Sequence, residues 1–212
     1  MTKEPKAGAI RQHNKQRILA AAEEAFAEHG FKGTSVQKIA DMAGLPKTNV
    51  LYYFNSKQGL YIAVLEQILS LWNSAFDSAT VEDDPAEVLA QYISDKMRIS
   101  QEKPQGSKIF ALEIINGAHN LTDFFKHNHV SWMQSRVGVI QQWIDQGKID
   151  TQDPYYLLFH IWSCSQHYAD FSAQITELKG SKMNAQDFEQ ATRSLVQLIL
   201  KGCGLSVPSK YA

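Results

Sequence analysis

Apolar residues recur every three to four positions along almost the whole chain, and the segments they mark are closed by glycine, asparagine or proline. Ile18, Ala22, Ala25 and Phe26 fall on one face of a helix, which Gly30 can end from just past its C-terminus. Thr34 or Ser35 can cap a second helix carrying Val36, Ile39 and Ala40, closed by Ala43-Gly44. Pro46 suits the first position of a third helix, which Asn55 ends. Ser56 can cap a fourth with the stripe Leu60, Val64, Ile68, Leu71 and Trp72. After the break at Asp83-Asp84-Pro85, Leu89, Tyr92, Ile93 and Met97 mark a fifth, ended by Lys103-Pro104. Phe110, Ile114 and Gly117 outline a sixth, and residues 121–146 read as a long seventh. Asp153-Pro154 opens an eighth that runs to about Thr176, and Asn184 opens a ninth that reaches Lys201. No segment alternates like a strand between hairpin turns, and no internal repeat is present. The predicted fold class is all-α, in about nine helices.

A chain of 212 residues with 44% apolar and 20% charged residues can bury a sizeable core. No apolar run approaches the ~20 residues of a membrane span, and the polar, basic N-terminus is not expected to be a signal peptide. Two cysteines, Cys164 and Cys203, make no disulfide framework and fit a reducing cytoplasm; Cys164, on an apolar helix, reads as an inert buried thiol. The net charge of −1 speaks against a nucleic-acid partner until it is divided. Residues 1–57 carry net +4 and residues 58–212 net −5. Lys3, Lys6, Arg11, Lys15 and Arg17 face only Glu4 in the first 17 residues, a basic arm that is either a footprint for an anionic partner or a solvated tail.

The segment 34–57, TSVQKIADMAGLPKTNVLYYFNSK, reads as a short helix, a tight turn at Gly44 and a second short helix. That is the plan of a helix-turn-helix, whose second helix enters the major groove of DNA. Ile39 and Ala40 can pack against Val50 and Leu51. Lys47, Thr48, Asn49, Tyr52 and Tyr53 then face outward, a cation, short hydrogen-bonding groups and aromatics suited to base edges and phosphates. A helical hairpin without a DNA role has the same pattern.

Ala25, Phe26, Gly30, Thr34, Ile39, Ala40, Gly44, Phe54, Lys57 and Leu60 stand in the order and spacing of one family, and the first 60 residues resemble the DNA-binding domain of the TetR family of bacterial repressors. The resemblance implies DNA contacts at Gln37, Lys47, Thr48, Asn49, Tyr52, Tyr53 and Lys57, with Lys57 meeting phosphate. Leu51 departs from the tyrosine usual in that family, so its phenolic contact is missing. The resemblance also implies a helix-turn-helix domain over 1–57 and a ligand-binding and dimerisation domain over 58–212. It further implies a homodimer on a near-palindromic double-stranded operator, joined through the helices near 154–176 and 184–201, whose effector releases the DNA by shifting the fourth helix. Large apolar side chains at Tyr156, Phe159, Trp162, Phe188, Leu195, Leu198 and Ile199 are consistent with that dimer surface.

The second part holds Trp72, Trp132, Trp143 and Trp162 with Phe76, Phe110, Tyr168 and Phe171, material for walls around a flat ligand. Glu113 is a lone carboxylate among apolar residues and needs a partner or a ligand. Gln166 and Asp170 lie on the helix of Trp162. The strings KTNVLYYFNSKQGLYIAVL and IWSCSQHYADF resemble the pyrimidine-utilisation regulators within the same family, which implies uracil or a related pyrimidine as effector. The same resemblance puts Trp72, Trp162 and Gln166 in the pocket. The expected ligand residues are therefore Trp72, Phe76, Glu113, Trp162, Gln166 and Asp170. No cofactor or metal is expected: His127 and His129, at i, i+2, point to different sides of a helix, and with His119 they read as surface or loop histidines. Two alternatives stand beside this reading. One is a helical adaptor for another protein. The other is a hydrolase built on Ser163, His167 and Asp170, whose side chains run parallel on one helix and do not converge on a reacting atom.

Overall fold

The computed structural model describes residues 7–122, 125 and 129–212. Ten α-helices lie among them: α1 (Ala7–Gly33), α2 (Val36–Ala43), α3 (Lys47–Phe54), α4 (Lys57–Ser74), α5 (Pro85–Glu102), α6 (Pro104–Ile115), α7 (Val130–Asp145), α8 (Pro154–Asp170), α9 (Ser172–Lys179) and α10 (Ala185–Gly202). No strand occurs among the described residues, and no helix among them is long and apolar enough to cross a membrane. The chain divides into two compact units, Met1–Leu69 with Lys108–Leu121, and Ser70–Ser107 with Thr122–Ala212. The expected boundary after residue 57 falls at the start of α4, whereas the structure divides within α4 and again within α6. Lys3, Glu4, Lys6 and His127 lie outside the described residues.

In the first unit the basic arm, where described, is the opening of α1. Gly30 breaks that helix with φ 67° and ψ 174°, a conformation that favours glycine. Thr34 braces the break. It is buried, and its hydroxyl donates to the Ala25 carbonyl at 3.0 Å and the Gly30 carbonyl at 2.8 Å. Ser35, rather than Thr34, caps α2 by accepting from the Lys38 amide at 3.1 Å. Gly44 ends α2 in the left-handed region at φ 61°; its N–H reaches the Asp41 carbonyl at 3.1 Å and the Leu45 N–H reaches Ala40 at 3.0 Å. These are the paired bonds of a Schellman ending. Arg17 donates to the carbonyl of Ala43 at 2.6 Å, a cation at the negative end of α2. Pro46 stands one place before α3, at its N-cap. Ile39, Ala40, Val50 and Phe54 are buried, so the two short helices are held by an apolar contact and a fixed turn. A side chain at Gly59 would run into the backbone of Phe54, which lets α4 start directly behind α3.

In the second unit α5 packs against α8 and α10. Tyr92, Ile93 and Met97 of α5 lie in one buried cluster with Trp143, Leu158, Ile161, Val196 and Leu200. Each of these large side chains is worth ~1.5–3 kcal/mol on burial. The three helices start where the sequence indicates. Asp84 accepts from the Ala86 amide at 2.8 Å, Asp153 from Tyr155 at 2.8 Å, and Asn184 and Asp187 form a capping box. The expected single helix from 154 to about 176 is instead two. Phe171 leaves the helical region at φ −108° and ψ 25°, and α9 restarts at Ser172. No glycine or proline marks this break. The Phe171 ring stacks on His167, one turn earlier, at 4.9 Å, and half of its surface stays exposed.

Candidate DNA-reading head and effector site

Lys47 and Thr48 are exposed at the start of α3, and Tyr52 is 70% exposed on the next turn. Asn49 and Tyr53 are half-buried beside them, and the rings of Tyr52 and Tyr53 meet edge-on at 5.3 Å. Gln37 is exposed on α2 and its amide donates to Asp41 at 2.8 Å. Six of the seven expected contact residues thus lie on the surfaces of α2 and α3. The seventh does a different job. The ammonium of Lys57 donates to the carbonyls of Phe31 at 2.9 Å and Thr34 at 3.0 Å, and lies 4.4 Å from the centre of the Phe31 ring. It ties the first turn of α4 to the chain that leaves α1. Charge-assisted bonds of this kind contribute about 1.5–3 kcal/mol. Lys57→Met should therefore lower the unfolding free energy read from urea denaturation by an amount in that range, and an unchanged free energy would remove the clamp.

In the second unit Trp72 and Phe76 are buried at the end of α4 and just beyond it. Phe76 stacks on Tyr92 of α5 at 4.8 Å and 19°, and the Trp162 indole N–H donates to the Tyr92 hydroxyl at 2.6 Å. Burial raises the Tyr92 phenol well above its ordinary range, so it stays neutral. Trp162, Gln166 and Asp170 are half-buried and follow at i, i+4 and i+8 on one face of α8. Asp170 accepts from the Ser107 hydroxyl at 2.5 Å. One turn after Tyr92, Lys96 lies fully buried with its ammonium 4.4 Å from the centre of the Trp72 ring. A cavity of about 250 Å³ opens beside Trp162, lined also by Phe125, His129, Met133, Gln134, Tyr155 and Phe159. His129 stacks on Trp132 at 5.5 Å, and burial lowers its pKa.

Glu113 belongs to the first unit and has partners of its own. Its carboxylate accepts from the Asn120 backbone amide at 2.8 Å and from the Asn120 side chain at 3.1 Å, and its charge helps burial to raise the Tyr61 phenol. It lines a cavity of about 540 Å³ with Phe26, Phe31, Lys32, Tyr61 and His119. The partner its sequence surroundings demand is supplied by Asn120.

Residues 18–64 match the family model of bacterial regulatory proteins, tetR family, and residues 65–206 match that of YcdC-like protein, C-terminal region. The HTH-type transcriptional regulator RutR of Escherichia coli O157:H7 is 37% identical over 89% of this chain and 89% of its own, and the protein of that name in strain K12 is 36% identical over the same shares. The chain belongs to the tetR family of bacterial regulatory proteins. Among solved structures, SCO4942 from Streptomyces coelicolor shares the fold at a TM-score of 0.71 and 22% identity, covering 91% of this chain and 99% of the other. The TetR family regulator PfmR from Thermus thermophilus does so at 0.64 and 20%, covering 87% and 97%.

As a TetR-family member the protein is a DNA-binding transcriptional regulator and not an enzyme. The parts of the hydrolase alternative have other uses: Ser163 bonds the His160 carbonyl at 3.1 Å, His167 stacks on Phe171, and Asp170 is held by Ser107. Cys164 is half-buried rather than enclosed. Sequence reasoning missed Lys96 and treated Tyr92 only as an apolar marker. The signal was present, because Leu89, Tyr92, Ile93, Lys96 and Met97 form one buried stripe of α5 with a cation in it.

Proposed function

We propose that the protein is a homodimeric repressor released by a flat, pyrimidine-like effector. Gln37, Lys47, Thr48, Asn49, Tyr52 and Tyr53 of each subunit read one half of a near-palindromic operator. The effector binds among Trp72, Phe76, Trp162, Gln166 and Asp170, and α4, which begins next to the reading head and carries Trp72 in its last turn, transmits the signal. The observation that carries the effector class is the Trp162–Tyr92 hydrogen bond at 2.6 Å. It fixes an indole face one turn from Gln166, whose amide offers both a donor and an acceptor to the alternating edge of a pyrimidinedione. Exposed apolar side chains on α8 and α10 support the dimer: Tyr156 is 62%, Phe159 46% and Leu198 66% exposed. Exposed apolar surface of this kind marks an interaction site. Two half-sites must match the spacing of two reading heads, so a small change in that spacing weakens binding strongly.

Isothermal titration of the full chain with uracil and thymine tests the effector. Heat with at least one of them is expected, together with a fall in the fluorescence anisotropy of prebound operator DNA, selected beforehand from a random duplex pool. No heat with either, from protein that still binds this DNA, would overturn the effector class.

A further inference from the structure

A helix stripe that packs against two others is normally filled with apolar side chains, because an ammonium removed from water loses its hydration. Lys96 breaks that rule at the centre of α5, only 2% exposed. Four elements meet around it. Trp72 of α4 turns its ring face to the ammonium. Asp170, at the end of α8, supports the positive charge, and Ser107 of α6 donates to that carboxylate. Tyr92, one turn earlier on α5, is neutral and bonded to Trp162. Among the described residues the charged group that acts on Lys96 is Asp170. Burial brings the Lys96 ammonium down to about 7, which leaves its proton within reach of any group that joins the cluster.

The geometry points to Lys96 as the specificity-determining cation of the effector site, donating to an oxygen acceptor on the edge of the planar ligand. The assignment rests on the effector reading above and deepens it. Gln166 reads the alternating donor and acceptor groups, and Lys96 demands oxygen, carbonyl or anionic, at one position. A ring that carries an amino group there, as cytosine does where uracil has a carbonyl, would oppose donor to donor and leave the buried ammonium without an acceptor. An acceptor favours the protonated amine, so binding raises the Lys96 pKa and takes up a proton from solution above pH 7.

The test is isothermal titration of the full chain and of Lys96→Met with uracil and cytosine at pH 8, each in two buffers of different ionisation heat. Wild-type protein is expected to prefer uracil and to take up protons on binding it. Lys96→Met is expected to bind uracil roughly ten- to hundredfold more weakly, to lose the preference over cytosine and the proton uptake, and to keep operator binding. Equal uracil affinity and preference in Lys96→Met would overturn the role of Lys96 and leave the effector class standing. Zero proton uptake by the wild type together with equal affinity for uracil and cytosine would overturn it as well, without recourse to the variant. A wild type silent to uracil, thymine and cytosine would end the pyrimidine reading and this assignment together.

Discussion

Leu198→Asp should convert the protein to a monomer with operator affinity reduced about 10²–10⁴-fold. Leu198 stands 66% exposed on α10, while its neighbours Leu195 and Ile199 are buried in their own unit. The substitution therefore leaves the internal core intact and puts a charge on the surface assigned to the second subunit. Tyr156 and Phe159 extend that surface on α8. A carboxylate forced into an apolar interface loses its hydration without a partner. Once the subunits part, each reading head must hold its half-site alone. Sedimentation velocity reads the oligomeric state and fluorescence anisotropy reads the affinity for the selected operator. A dimer that persists at micromolar concentration with wild-type affinity would move the interface elsewhere.

Tyr53→Ala should weaken specific operator binding about 10–100-fold without unfolding the protein. A side chain that reads a base edge contributes ~1–3 kcal/mol. The Tyr53 ring is half-buried, leaning edge-on against the more exposed Tyr52. Its removal therefore takes away a contact and also the support that orients its neighbour. Val50 and Phe54, which hold α3 to the rest of its unit, are untouched. Circular dichroism should show the wild-type helix content, and anisotropy should show the loss with the selected operator while binding to unrelated DNA stays the same. Wild-type affinity for the operator would remove α3 from the reading surface.

Periodicity and caps located the helices because both are local. Asp84, Asp153 and Asn184 each bond an amide two or three residues ahead, so the signal for α5, α8 and α10 lies in adjacent sequence. The break at Phe171 has no such marker: Asp170, Phe171 and Ser172 are all acceptable helix residues. Side-chain targets were harder to read than helices. Lys57 reads as a surface cation until the carbonyls of Phe31 and Thr34, more than 20 residues away, close on it. Glu113 reads as lacking a partner until the turn after α6 brings back Asn120. Lys96 was hidden by the habit of assigning lysines to solvent, although its spacing from Tyr92 and Leu89 puts it in the stripe. The exposure of Gln37, Lys47, Thr48 and Tyr52 was legible because outward positions on two short helices need no distant partner.

Arg17 and Lys57 are bonded to backbone carbonyls, and this alters how the reading head should respond to ionic strength. The salt dependence of DNA binding counts the phosphates that protein cations neutralise, each displacing condensed counterions with a logarithmic slope of about −0.9. Nine lysines and arginines precede residue 58, yet two of them hold the fold together. With these groups held by carbonyls, they are expected to add to the local potential without displacing counterions from the duplex. The protein should thus be drawn to DNA as strongly as its basic end suggests, and yet release fewer ions on binding than a count of its positive residues would indicate.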